Sequence, residues 1–178
     1  AVTAASGKLG HAIIKETITQ FGKNNVIGIA RTVEKAKDLG VEIRKGDYNI
    51  ESDFEKALKG VDIVCLISSM SPPEDRVLQH QNVINASKTN NIKKFVYTSI
   101  YGIENKCSFD PIIKSNRKTE EDIRSSGLSW VIGRNGLYID ADLDYIDEYI
   151  NRGSIKNSAG SGRCAYTSRE ELAIAYSN

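Results

Sequence analysis

The first ten residues, "AVTAASGKLG", place glycines at Gly7 and Gly10 and an alanine, Ala4, where a third glycine would complete a dinucleotide-binding fingerprint. In such a loop the first glycine allows a tight turn, the second lets the backbone approach a pyrophosphate, and the third lets the helix pack on its strand. Gly7 and Gly10 fill the last two roles. Ala4 is tolerable in the first if its backbone angles stay in the ordinary range, with a less sharp turn as the consequence. The free N–H groups of a helix starting near Lys8 and Leu9 would then face phosphates. Taken alone, the pattern fits a plain turn equally well.

The next strand narrows the choice. A site selective for NAD wants Asp or Glu about 20 residues after the loop, to bind the ribose hydroxyls. Counting from Gly10 reaches Ala30, and Arg31 and Thr32 follow. A guanidinium suits a 2′-phosphate through charge-assisted hydrogen bonds, whereas a carboxylate would repel it. Loop, strand and Arg31 together point to NADPH (NADP) over NADH. The competing reading is an arginine solvated at a strand end.

Other chemistries find less support. Many short-chain dehydrogenases use a tyrosine four residues before a lysine that lowers the phenol's pKa. None of the eight tyrosines has lysine at that offset: Tyr97 meets Tyr101 there, Tyr101 meets Asn105, and Tyr138 meets Asp142. Alcohol–carbonyl interconversion and sugar-nucleotide epimerisation by that device are disfavoured. Cys65, Cys107 and Cys164 are widely spaced and only two histidines occur, so neither a disulfide framework nor a metal site is expected. His11 sits too near the phosphate loop for a proton shuttle and reads as structural. His80 shares its helix with Val77, Val83 and Ile84 and reads as packing or interface.

The net charge is +1, from 24 basic and 23 acidic residues, with no basic block, so neither nucleic acid nor an anionic membrane is suggested as a partner. No apolar run approaches the ~20 residues of a membrane span, and a cytoplasmic location is expected.

At 178 residues and 40% hydrophobic content, the chain suits one well-packed domain. Apolar runs at 26–30, 41–47, 62–68, 94–100 and 129–134 alternate with amphipathic stretches, the pattern of a parallel sheet with crossover helices. Gly22, Gly40, Gly60 and Gly127 fall where helices should stop. Ser52 and Glu55 match a capping box opening a helix. "TVEKAKDLG" reads as a further helix. The fold class is α/β, a doubly wound, Rossmann-like parallel sheet over residues 1–139. Residues 140–178 read as part of a smaller substrate-side lobe, with an acidic helix in "DADLDYIDEYINRG" and a loop "SAGSGRCAY" leading to a short strand. The opening strand is unusually short and "SREELAIAYSN" stops after two helical turns, so both ends are expected to be trimmed and the lobe incomplete.

"GVDIVCLISS", "QHQNVINASKTNNIKKFVYTSI", "TEEDIRSSGLSWVIGRNGLY" and "SAGSGRCAYTSREELA" resemble, in order and spacing, the NmrA-like branch of atypical short-chain dehydrogenases, and among them the type 2 NAD(P)H:quinone oxidoreductases. The resemblance covers essentially the whole chain. It implies a cofactor site built from Gly7, Lys8, Leu9 and Gly10, from Arg31, from Asp47 and Tyr48, from Ser68, Ser69 and Met70, and from Tyr97, Thr98 and Ser99. It also implies a substrate cavity bracketed by the segment at Tyr101 and by Asn135, Gly136 and Tyr138. Asp47 as a turn-forming carboxylate and Tyr138 as a core flank are the plainer alternatives, and Arg134 reads as a tie between loops. NmrA-like relatives often carry Lys or His where this chain has Asn116, and an amide supplies no proton at neutral pH. Tyr101, Asn116 and Tyr138 are the catalytic candidates. The expected activity is NADPH-dependent reduction of quinones or similar flat electrophiles, which can take hydride with a proton from water. A non-catalytic NADP(H)-binding regulator is the alternative, and a homodimer stays open.

Overall fold

The computed structural model describes residues 1–105, 108–156 and 160–178. Five short strands, β1 (Ile27–Ala30), β2 (Glu42–Lys45), β3 (Ile63–Ile67), β4 (Lys94–Ile100) and β5 (Trp130–Asn135), are all parallel to their neighbours. The segment at Val2 bridges Gly28 on one side and Cys65 on the other, joining the pair β2–β1 to the trio β3–β4–β5. The opening strand is thus reduced to a few backbone bonds, among them Val2 N–H to Ile27 O at 2.9 Å and Thr3 N–H to Cys65 O at 3.0 Å.

Strand alternation sorts the core onto two faces. Ile29, Val64, Leu66, Phe95 and Tyr97 point to the side covered by α2 (Glu51–Ala57), α3 (Pro73–Thr89) and α4 (Asp110–Ser125). Ala30, Cys65, Ile67 and Val96 point to the side covered by α1 (Lys8–Phe21), a 3₁₀ helix (Val33–Leu39) and α7 (Arg169–Ser177). Helices on both faces make the sheet doubly wound, as its sequence pattern predicts. Truncating one of its filled positions, such as Phe95, is expected to cost about 3–5 kcal/mol.

Gly22, Gly40, Gly60 and Gly127 all take positive φ at helix or turn ends, as expected. Three local expectations are corrected. The helix at 33–39 is 3₁₀ rather than α, with Ala36 and Leu39 buried on one side of it. Ser52 does not cap α2: Ile50 is the N-cap, and Asp47 Oδ1 accepts the Asn49 N–H in a turn that starts the helix earlier. A capping box does form at Ser168 and Glu171, opening α7. Finally, Ala4 has φ 49°, in the left-handed region that favours glycine, so it performs the tight turn under strain.

Beyond β5 the chain forms α5 (Ile139–Leu143) and α6 (Ile146–Arg152), then returns so that Tyr138 bridges Thr167. α7 packs along α1, with Gln20 Nε2 donating to Ser177 Oγ at 2.9 Å. The "SAGSGRCAY" loop lies partly outside the described residues, as does Cys107. Cys65 is buried and unpaired, its thiol pushed up to about 12 by burial, and Cys164 is exposed.

Candidate functional site

A cleft of about 1080 Å³ opens along the carboxyl ends of the strands, where the order reverses at Val2. Open α/β sheets bind ligands at such switch points. The first turn of α1 forms its floor. Gly7 is the N-cap and makes no side-chain cap, and no acidic residue lies in that turn, so its leading N–H groups and partial positive charge are left for a ligand. Gly10 is required here: a Cβ on it would lie 2.4 Å from the Ala4 carbonyl oxygen. Gly7 is nearly as tight, at 3.2 Å from the same atom. Lys8 reaches across to Asp144 Oδ2 at 2.5 Å, tying this loop to the segment after α5.

Arg31 and Thr32, at the end of β1, line the cleft, and Lys35 joins them one 3₁₀ turn later. Lys35 belongs to no motif, and its spacing of three from Thr32 sets it on the same side of the chain. Asp47 lines the cleft too, but its Oδ1 is occupied by the Asn49 backbone and side-chain N–H groups, each at 3.0 Å. Tyr48 acts as a strut: its phenol donates to Ile67 O at 2.7 Å and lies 2.6 Å from Thr3 Oγ1. Burial pushes its pKa above the ordinary range.

The loop after β3 is fixed atom by atom. Ser68 N–H donates to Thr98 Oγ1 at 2.9 Å, and Ser69 N–H donates to His80 Nε2 at 2.9 Å. That acceptor role leaves the His80 proton on Nδ1, 2.9 Å from Thr119 Oγ1. Burial first, and the Arg76 charge second, push the His80 pKa down to about 3, so the ring is neutral. Packing is indeed its surrounding, but its nitrogens position a cleft-lining backbone amide. Met70 follows, 91% exposed.

Behind this loop, Asn116 Oδ1 accepts from the Tyr97 phenol at 2.6 Å and from Ser68 Oγ at 3.2 Å, while its Nδ2 donates to Ile112 O at 2.8 Å. Tyr97 itself is fully buried against α3 and α4 and does not line the cleft: it shares a face of β4 with Ser99 but lies further from the strand's carboxyl end. Tyr101 also falls outside the lining: its N–H bonds Asn135 O and its side chain is 70% exposed. Thr98, Ser99, Asn116, Asn135, Gly136 and Tyr138 do line it. Asn135 Nδ2 donates to the Tyr138 oxygen at 3.0 Å, Asn135 Oδ1 accepts from Tyr176 at 2.6 Å, and Arg169 lies over the Tyr138 ring. Burial raises the Tyr138 phenol pKa.

Arg134 ties elements together through Glu120, whose side chain is fully buried. Its Nε and Nη2 reach the two carboxylate oxygens at 2.9 and 2.6 Å. Arg117, Arg124 and Ser99 complete the shell. Burial alone would raise the Glu120 pKa, but the hydrogen bonds from Arg134, Ser99 and Arg124 and the Arg117 charge overcome it and hold it at about 2. Arg117 also donates to Ile100 O and Gly102 O, fixing the loop after β4.

Among the described residues no three His, Cys, Asp or Glu gather as a metal site, and no helix is long and apolar enough to cross a membrane. An uncapped helix start, a basic strand end without a carboxylate and a glycine whose Cβ has no room all fit a dinucleotide. The fold and the cleft define an NAD(P)H-binding chain.

The chain belongs to the NAD(P)H-binding family, which matches residues 4–173. It is 33% identical to quinone oxidoreductase 2 of Escherichia coli over 178 residues, 98% of this chain and 61% of that protein. It is 27% identical to an NmrA-like family domain-containing oxidoreductase of Aspergillus flavus, over 97% of this chain and 58% of that protein. Among solved structures, Citrobacter sp. triphenylmethane reductase complexed with NADP(H) superposes with a TM-score of 0.91 at 32% identity, over 99% of this chain and 63% of that one. The NmrA-like resemblance read from the sequence stands on these matches. The chain spans about three fifths of the length of these relatives.

Proposed function

We propose that this chain carries the cofactor-binding and acceptor-facing part of an oxidoreductase that reduces quinones or similar flat electrophiles with NADPH. One observation carries the reading: a single cleft joins a basic end, at Arg31 and Lys35, to an apolar end lined by Met70, Phe109, Ile112, Leu137 and Tyr138. Bound NADPH supplies the hydride. The N-terminus of α1 holds the pyrophosphate, and Arg31 with Lys35 holds the 2′-phosphate. Ser68, Ser69 and Met70 line the nicotinamide ribose side, held there by Thr98 and His80. Tyr138, braced by Asn135 and Arg169, gives the acceptor a flat wall. Residues 140–156 and 160–166 belong to the substrate side, while α7 supports α1.

The network at Asn116 favours an acceptor that needs no protein acid. Its amide oxygen is already used by Tyr97 and Ser68, and burial raises the Tyr97 phenol to about 12. A quinone takes its proton from water, so positioning two rings is the main task. The same network favours a second reading, an NADP(H)-binding regulator without turnover. Steady-state NADPH oxidation with a quinone panel, on the protein at its natural length, separates the two. Turnover with any quinone supports the reductase; tight NADPH binding with no turnover supports the regulator and removes the reductase.

A further inference from the structure

Arg76, on the first turn of α3, is the most buried arginine of the chain, at 8% exposure. The other well-shielded guanidinium groups each meet a carboxylate: Arg44 meets Glu42, Arg117 meets Glu120 and Arg169 meets Asp140. Among the described residues no carboxylate pairs with Arg76. Among those residues its guanidinium makes one hydrogen bond, from Nε to the Ser71 carbonyl at 2.6 Å. The terminal nitrogens are not sealed away, since no buried side-chain nitrogen lacks a partner, and the residue lines the cleft. Its polar neighbours are already engaged: Ser69 Oγ donates to Gln79 Oε1 at 2.5 Å, and Gln79 Nε2 donates to Asn49 Oδ1 at 2.9 Å. A shielded cation without a counter-charge is costly unless a ligand supplies one.

Two ligands could do so, a cofactor phosphate or an anionic group on the acceptor. The phosphates already have the start of α1 and the Arg31–Lys35 pair, on the far side of the switch point. Arg76 stems from the helix after β3, which packs between α2 and α4, and on the α4 side Phe109, Ile112 and Asn116 line the same cleft. We propose that Arg76 binds an oxyanion substituent, such as a carboxylate, on a planar acceptor. The preferred acceptor is then an anionic quinone or a comparable charged aromatic electrophile. The planar fork of arginine suits such a group bidentately. The proposal rests on the reductase reading for its substrate class.

The test uses two probes that cannot be reduced, naphthalene sulfonate and naphthalene methanol, titrated into the protein saturated with oxidised cofactor. The wild type is expected to bind the sulfonate about tenfold more tightly. Arg76→Gln should abolish that preference and Arg76→Lys keep part of it, with NADPH affinity unchanged. No preference in the wild type, or a preference retained in Arg76→Gln, overturns the proposal. So does a loss of NADPH affinity in Arg76→Gln, which would assign the residue to the cofactor. If Arg76→Gln does not fold, Arg76→Lys decides: an unchanged preference overturns the proposal and a reduced one supports it. Because the probes are inert, a protein that binds them as expected yet reduces no quinone keeps the anion site and loses the reductase reading.

Discussion

The Tyr97 phenol and the Asn116 amide oxygen lie 2.6 Å apart, both shielded from solvent, with Ser68 Oγ on the same oxygen. This pair braces the loop after β3 against α4. Replacing Asn116 with Leu leaves a buried hydroxyl without its acceptor and should cost about 1–3 kcal/mol. Adding Tyr97→Phe should restore part of that loss. Urea unfolding of the single and double variants checks it; strictly additive losses would mean that the pair is not coupled.

The acid side of the stability profile should begin with His80. Its ordinary pKa is 6.5 and its folded value about 3, so both states are neutral above pH 6.5. As pH falls below 6.5, the unfolded chain takes a proton that the native ring refuses, and stability drops by about 1.4 kcal/mol per pH unit until about pH 3. Glu120 acts lower: its stabilisation is complete above its ordinary 4.5 and is lost as pH falls toward about 2. His80→Gln should therefore flatten the urea midpoint between pH 6.5 and 4.5 and make the fall from 4.5 to about 3 shallower, leaving there the part that belongs to Glu120. An unchanged slope in that window would contradict the assignment.

Ala4→Gly should stabilise the protein by about 1 kcal/mol, the relief of a left-handed alanine less the extra freedom of glycine in the unfolded chain. Gly10→Ala should do the opposite and weaken NADPH binding as well, because the new Cβ meets the Ala4 carbonyl at 2.4 Å and pushes α1 away. Thermal unfolding and cofactor titration report both effects. A Gly10→Ala variant with native affinity would show that the loop is not a phosphate cradle.

Glu120→Gln removes the one carboxylate shared by Arg117, Arg124 and Arg134. A destabilisation of roughly 2–4 kcal/mol is expected, tempered by the solvent that reaches Arg124 and Arg134. Equal stability of wild type and variant in guanidinium would indicate that the arginines are solvated and the cluster contributes nothing net.

Much of this architecture is legible in the residues. Apolar runs alternating with amphipathic stretches mark the strands, Gly22, Gly40, Gly60 and Gly127 mark the stops, and Arg31 marks the strand end that faces the cleft. The misreadings have identifiable causes. Tyr97 shares its face of β4 with the cleft-lining Ser99 but lies one step deeper, where α3 and α4 cover it, and nearness to a strand end does not say how deep a residue is packed. Tyr101 lies one residue past that strand and turns to solvent. Ser52 offers capping chemistry, yet a turn closed by Asp47 decides where α2 begins. Arg76 gives no motif at all. Its interest comes from burial without a carboxylate, which only tertiary packing can reveal.

The most direct measurement is a fluorescence titration of NADPH and NADH into the wild type and Arg31→Glu. The wild type should bind NADPH more tightly, and the substitution should weaken NADPH by about tenfold or more while sparing NADH. Equal weakening of both cofactors, or no binding of either by the folded wild type, would contradict the account.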